Sequence, residues 1–407
     1  MTSTSCYIRT RRYERAMAWL HIVSQSLLFR LLAAVVATNL IIWTYKNRIP
    51  RDFAHPSLPF VQPKNVTVTT EKPNNISKRI LFYTSWFGKI PWPLNGPLKL
   101  PCPHKCSITY NKNELAFSNA VVFHDSDIDD PRSLKRISES LRRRAQQRWV
   151  YYTHENPHNV HNPAPFNGIF NWTVTYRSDS DIPRPYGHYN TLQHGERILN
   201  ENNTINYAKG KDKLIAWAVS HCGTIRDKVA KKLHEFVPVT VIGKCSNLFN
   251  QVSPEVCRRG SPKCSSYLKR FKFYLAFENG MCIDYITEKY WITPFDNNMV
   301  PIVLGSNYDS KVAIPGSFIN ILDFPNMKVF SDYIKYLDKN DTAYNEYFSW
   351  KAKFKLDRTA EDRWLCRLCV DLFNDSLPKK VYTNFKAYWG LKSNCYRNKE
   401  KIQRILL

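Results

Sequence analysis

Residues 273–291 read FYLAFENGMCIDYITEKYW. The first five are apolar and aromatic, a run of the length and type that forms a buried strand. The run ends at Glu278-Asn279, so a core strand delivers a carboxylate and an amide to the rim of a sheet. Asp284 offers an N-cap and predicts a helix from about that residue, with Tyr285, Glu288 and Lys289 on its first turns. Spacings of three and four place these three side chains on one face. Unpaired N–H groups and the dipole draw anions to a helix N-terminus, and Lys289 adds a full positive charge there. Glu288 is suited to accept hydrogen bonds from ribose hydroxyls. A surface helix with a tyrosine packed beneath it is the alternative reading of the same residues.

The strand signal recurs outward from this segment. RILFYTSW (79–86), AVVFHDS (120–126), RWVYYTHEN (148–156) and FNWTVTYRSDSDI (170–182) form a first series. KLIAWAVSH, VPVTVIGKC, RFKFYLAFEN and MVPIVLGS form a second from residue 213 onward, with the amphipathic RDKVAKKLHEF between its first two members. Strands alternating with helix-compatible stretches predict an α/β protein with parallel sheets. Two Rossmann-like halves would then face a cleft at the carboxyl ends of their strands, where ligands of such sheets bind. The strand ends carry Glu155-Asn156-Pro157, Ser220-His221, Glu278-Asn279 and Gly305-Ser306. No G-x-G-x-x-G and no G-x-x-x-x-G-K-[ST] follows any of them, which disfavours a dinucleotide cofactor and a nucleotide-triphosphate loop.

The chain has 407 residues, 43% hydrophobic and 14% aromatic, enough to build a two-domain core. Its net charge of +25 points to anionic partners. Compartment narrows that choice. LLFRLLAAVVATNLIIWTY (27–45) approaches the length of a spanning helix, with Trp43 and Tyr45 suited to the interface. Arg9, Arg11, Arg12 and Arg15 precede it, so the positive-inside rule keeps residues 1–26 cytosolic and the rest luminal. A cleaved signal peptide is the rival, but no small-residue cleavage site follows the apolar run. Residues 46–77 read as a flexible stem, 78–205 as the N-terminal Rossmann-like domain, 206–375 as the C-terminal one, and 376–407 as a terminal segment. Sequons at Asn65, Asn75, Asn171, Asn202, Asn340 and Asn374 agree with a secretory lumen. So do ten cysteines beyond Cys6, an even number compatible with disulfides. The close pairs Cys102/Cys106 and Cys366/Cys369 have imperfect spacing for zinc. A lumen also removes nucleic acid as the target of the basic run 135–148, which reads as a solvated helix face.

With these residues in view, the 273–291 segment closely resembles the donor-binding motif of the α1,3-fucosyltransferase family, glycosyltransferase family 10. LIAWAVSHCGTIRDKVAKKL, TYRSDSDIPRPYG and RWVYYTHENP resemble further motifs of that family in the same order, so the likeness covers most of residues 79–305. Asn156 and Gly280 depart from its pattern, where serine is common at both. The resemblance implies a GT-B scaffold on a single-pass type II Golgi membrane protein. It also implies inverting transfer of L-fucose from GDP-β-L-fucose, in α1,3 linkage, to a GlcNAc of glycoprotein glycans. Glu155 matches the family's catalytic base. Arg226 and Lys289 match its diphosphate-binding pair, and Asn279, Tyr285 and Glu288 its nucleotide-sugar contacts. Relatives tie the start of the catalytic region to a C-terminal Cys-x-x-Cys, which implies that Cys102 and Cys106 pair with Cys366 and Cys369.

Asp125-Ser-Asp127, Asp129-Asp130 and Asp179-Ser-Asp181 superficially suggest an Asp-x-Asp metal motif. Such short motifs are frequent by chance, and enzymes of the resembled type meet the diphosphate with side-chain cations, so no obligatory metal is expected. A glycan-binding module or an inactive protein of the same fold is the alternative function. It would not require a cation-bearing helix end facing a carboxylate. A luminal sulfotransferase would need a Gly-, Ser-, Thr- and Lys-rich phosphate loop, which the sequence lacks.

Overall fold

A computed structural model describes residues 77–94, 102–140, 146–193, 205–258, 261–305, 308, 312–358, 363–395 and 398–407, all within the unit Asn75–Leu407. The candidate anchor at 27–45, nearly all of the stem, and the sequons at Asn65, Asn75 and Asn202 lie outside the described residues. Among the described residues no helix is long and apolar enough to cross a membrane.

Two parallel sheets carry the fold. The first holds β1 (Lys78–Phe82), β2 (Cys106–Thr109), β3 (Ala120–His124), β4 (Arg148–Tyr152), β5 (Trp172–Thr175) and β6 (Ile182–Pro183), in the order β2-β1-β3-β4-β5-β6. In chain order β7 (His188–Thr191) follows. The second sheet holds β8 (Lys213–Ala218), β9 (Val239–Ile242), β10 (Phe271–Leu275), β11 (Val300–Val303) and β12 (Ile319–Asn320), in the order β12-β11-β10-β8-β9. Such a two-sheet α/β arrangement fits the GT-B expectation. In each sheet the chain steps to one side and then to the other. That reversal opens a crevice between β1 and β3 in the first sheet and between β8 and β10 in the second.

The central strands carry apolar runs on both faces because both faces of each sheet are covered. Leu81, Val121, Phe123, Trp149 and Tyr151 pack on one face of the first sheet with Phe166, Phe170, Phe385 and Trp389. Their neighbours Ile80, Phe82, Val122, Val150 and Tyr152 pack on the other with Trp364, Leu365 and Leu368. In the second sheet Trp217, Val241, Phe273 and Ile302 meet the helices Ile225–His234 and Met327–Lys339 through Val229, Leu233, Phe330 and Ile334. Tyr274 and Val303 face Tyr290, Trp291 and Phe295 on the opposite side.

Packing divides the chain differently from the sequence boundaries. The helix Arg363–Leu372, assigned from sequence to the C-terminal domain, lies on the first sheet. Its Trp364, Leu365, Leu368 and Leu372 form one apolar stripe, and that stripe covers the second face of β1, β3 and β4. Phe385 and Trp389 then enter the first core, and Ile402 and Ile405 of the last helix return to the second. A small antiparallel pair, β7 with β13 (Phe354–Asp357), also joins residues from either side of the 194–204 connection. The basic run lies on the helix Pro131–Ser140 and beyond it, with only Leu134 of that helix in the core.

All ten cysteines beyond Cys6 are paired: Cys102–Cys366, Cys106–Cys369, Cys222–Cys245, Cys257–Cys264 and Cys282–Cys395. The first two clamp the helix Arg363–Leu372 to the start of β2. Each spans more than 260 residues, and closing one such loop stabilises by about 5 kcal/mol in the chain-entropy model. Once either is closed, the other completes a ring of only a few residues and adds about 2 kcal/mol. Serine substitution of one pair is therefore expected to lower the melting temperature modestly, and of both pairs far more than twice as much. Thermal unfolding of the two single-pair variants and the double variant checks this.

The described sequons differ in how their amides are used. Asn171 Oδ1 accepts from Trp149 N at 2.9 Å and its Nδ2 donates to Lys380 O at 2.7 Å, with Thr173 wholly buried. Asn374 is exposed and its Oδ1 serves only a local turn to Ser376. In protein secreted from a eukaryotic host, glycopeptide mapping is expected to find glycan on Asn374 and none on Asn171.

Candidate active site

The crevice of the second sheet is built from the loops after β8 and β10. The loop after β8 runs into the helix Ile225–His234, whose second residue is Arg226. Arg226 is 3% exposed. Its guanidinium donates to His221 O at 2.9 Å and to Phe277 O at 3.0 Å, tying the two loops together, while Nε has no hydrogen-bond partner. Burial pulls its pKa down, against the negative charges of Asp227 and Glu278. The Tyr308 hydroxyl, beyond the end of β11, is likewise buried and unpartnered. Buried polar groups are rarely left unpaired, and the Arg226 Nε, at the start of the helix that borders this crevice, is one that a polar ligand would satisfy.

The loop after β10 corrects the sequence reading in three respects. Asp284 is not an N-cap: its φ is 59°, and its carboxylate accepts from Ser178 N and Ser178 Oγ of the first half at 2.9 and 2.7 Å. The cap is Thr287, and the helix it opens, Glu288–Trp291, is only four residues long. Tyr285 therefore does not share a helix face with Glu288 and Lys289. It is buried at 4% exposure in the core of the first half, against Tyr176. Finally, the helix end does not stand open to an anion, because Glu278 takes that place. Its carboxylate accepts from Thr287 N at 2.7 Å and from Thr287 Oγ1, and meets Lys289 Nζ at 3.2 Å.

Lys289 is thus held between two carboxylates, with Glu288 Oε1 at 3.0 Å on the other side. Desolvation works to lower its pKa, but Glu278 and Glu288 outweigh it and keep the ammonium firmly charged. Burial raises Glu278, with Lys289 opposing. For Glu288 burial also pushes upward, but Lys289 brings its carboxyl below the ordinary range.

Glu155 reaches this neighbourhood from the first half. It lies three residues beyond β4, with its N–H donating to Thr153 Oγ1 at 3.1 Å and its Oε2 accepting from Asn159 Nδ2 at 3.2 Å. The next residue, Asn156, donates through Nδ2 to Asn279 Oδ1 at 2.9 Å, a direct bond between the halves. Tyr285 reports both sides at once. Burial raises its pKa well above normal, and Tyr186, Glu278 and Glu155 add to the rise. Tyr186 feels Glu155, Glu288 and Glu278 in the same way, after burial. The structure therefore gathers Glu155, Arg226, Asn279, Glu288 and Lys289 around Glu278 and Tyr285, with Glu155 contributed by the first half and the two cations, with Glu278 and Glu288, by the second.

Two of the acidic motifs are engaged within the chain, and in the third Asp130 pairs with Arg132 and Arg136. Asp127 accepts from Ser85 Oγ, Phe87 N, Gly88 N and His124, and Asp125 from Tyr151 and His161. Asp179 pairs with Arg177, and Asp181 with Thr173, Tyr382 and Lys380. His158 lies beside Cys282 and Cys395, but their sulfurs are bonded to each other and leave no thiolate for a metal. Sequence reasoning noticed Glu278 and Asn156 only as strand ends, and missed Thr287 and Tyr186 as parts of the site. A carboxylate nine residues before a threonine cap was the available signal for the Glu278–Thr287 lock.

Comparison with known proteins meets this site with a family. Residues 75–187 match the model "Fucosyltransferase, N-terminal", and residues 208–389 match "Glycosyltransferase family 10 (fucosyltransferase) C-term". A 4-galactosyl-N-acetylglucosaminide 3-alpha-L-fucosyltransferase of Pan troglodytes is 31% identical over 378 residues, covering 89% of this chain and 94% of that protein. Glycoprotein 3-alpha-L-fucosyltransferase A of Drosophila melanogaster is 32% identical over 324 residues; 77% of this chain aligns with 60% of that protein's length. A crystal structure of an alpha1,3-fucosyltransferase with GDP-fucose covers 75% of this chain and 94% of its own at 20% identity, with a TM-score of 0.48. The chain belongs to glycosyltransferase family 10, the fucosyltransferases.

Proposed function

We propose that this protein transfers L-fucose from GDP-β-L-fucose to the 3-hydroxyl of a GlcNAc in glycoprotein glycans, with inversion at the anomeric carbon. The observation that carries the reading is the opposition of Glu155 on the first half to buried Arg226 and the Lys289 pair on the second. In this reaction Glu155 takes the proton of the acceptor hydroxyl as its oxygen attacks C1 of the fucose. The C1–O bond to the diphosphate breaks on the opposite side, and GDP leaves with growing negative charge. Arg226, through Nε and its remaining N–H groups, and Lys289 meet that charge. Glu288, ionised beside Lys289 and exposed, accepts from the ribose hydroxyls, and Asn279 lies between donor and base.

On this reading the side-chain cations do the work of a divalent ion, and EDTA leaves transfer undiminished. The chain is anchored by residues 27–45 as a type II Golgi membrane protein with the site in the lumen, where GDP-fucose and nascent glycans meet. A secreted fragment beginning near residue 50, incubated with GDP-fucose and defined glycans presenting either the chitobiose core or N-acetyllactosamine antennae, tests the function and identifies the acceptor. Absence of transfer to every GlcNAc-bearing glycan overturns it.

A further inference from the structure

Gly280, two residues after Glu278, is buried against the side chain of Asn156 from the other half. A Cβ built on Gly280 would lie 2.9 Å from the Cγ, Oδ1 and Nδ2 atoms of that amide. The amide is not a loose tip that can swing aside. Asn156 is wholly buried, its Oδ1 accepts from His158 N at 2.9 Å, and its Nδ2 donates to Asn279 Oδ1 at 2.9 Å. Alongside, Tyr285 meets Tyr186 edge to face with ring centroids 6.1 Å apart, and the Tyr186 hydroxyl donates to His154 O at 2.7 Å. One end of this chain of contacts is the loop of Glu155 and the other is the loop of Asn279 and Lys289.

We propose that Asn156 is a positioning residue: it sets the distance between the base on one half and the donor on the other, and Gly280 exists in this chain to give its amide room. The proposal rests on the assignment of Glu155 as base and of the loop after β10 to the donor. The physical reason is geometric. Attack requires the acceptor oxygen, the base and C1 to be aligned, and a misplacement near 1 Å costs on the order of 100-fold in rate. Serine at 156 can still accept from His158 N in a local turn, but it is too short to reach Asn279. The bond between the halves is then lost while the local turn of the loop persists.

Three variants test this: N156S, G280A and N156S/G280A, each assayed for transfer kcat, GDP affinity by calorimetry and melting temperature. N156S is expected to lower kcat by about 10- to 100-fold, with GDP affinity within about threefold, because Arg226, Lys289 and Glu288 make no hydrogen bond to Asn156. G280A displaces the amide and is expected to lower kcat by a comparable factor. In the double variant the methyl group fills the space left by the amide, so its kcat matches N156S alone and does not fall to the product of the two losses. N156S with wild-type kcat, a multiplicative double variant, or a loss of kcat that tracks GDP affinity or melting temperature would each overturn the positioning role. Failure of the wild-type protein to transfer fucose would instead overturn the proposed function.

Discussion

Glu155→Gln is expected to lower the turnover of fucosyl transfer by about 10² to 10⁴-fold, the usual contribution of a general base. Glutamine keeps the size of the side chain and its ability to accept from Asn159 Nδ2, the hydrogen bond made by the Glu155 carboxylate. The variant should therefore fold as the wild type does and bind GDP-fucose with little change, since the proposed nucleotide contacts come from the other half. Parallel measurement of kcat, GDP-fucose affinity and melting temperature separates a base from a turn-capping glutamate. A structural glutamate would lose stability and binding together. A Glu155→Gln protein retaining most of its turnover would remove Glu155 from the mechanism.

Lys289→Ala should damage two properties that a second substitution can separate. The first is donor binding: a lost charge-assisted bond to the diphosphate is worth about 1.5 to 3 kcal/mol, or about 10- to 150-fold in affinity. The second is stability, because Glu278, with its side chain 3% exposed, is left as a buried carboxylate without its cation. Breaking such a pair from one side costs about 3 kcal/mol here, the lower end of the usual range, because the Lys289 side chain is 23% exposed. Glu278→Gln added to Lys289→Ala should recover most of the stability and none of the donor affinity. The deficit should also depend on pH. Burial already raises Glu278, and loss of Lys289 raises it further, so the deficit is full above the folded pKa. It shrinks as pH falls toward the unfolded carboxyl value near ~4.3, where a protonated Glu278 needs no partner. Denaturant unfolding across that range, with calorimetric GDP titration, checks both parts.

The central strands of both sheets were legible because parallel strands buried on two faces leave apolar runs in the sequence, as in Ala120–Phe123 and Phe273–Leu275. The helix expected from Asp284 was not, since Asp tolerates left-handed backbone and its carboxylate is claimed by Ser178, 106 residues away. No local pattern carries that information. The same holds for the helix Arg363–Leu372: its apolar stripe is visible in the sequence, but the sheet it covers is not. Gly280 and Asn156 are the instructive case. Each departs from the family pattern the sequence resembles, and only the structure places the absent side chain of one against the amide of the other.

The proposed function stands most directly on the product formed from GDP-fucose and a GlcNAc-bearing glycan. Quantifying GDP release against acceptor consumption, with NMR of the isolated glycan, reads both the reaction and its stereochemistry. The account predicts one GDP per modified acceptor and an α-configured fucose on O3 of GlcNAc. GDP released at the same rate with and without acceptor, leaving the glycan unmodified, or a β-linked fucose, would contradict it.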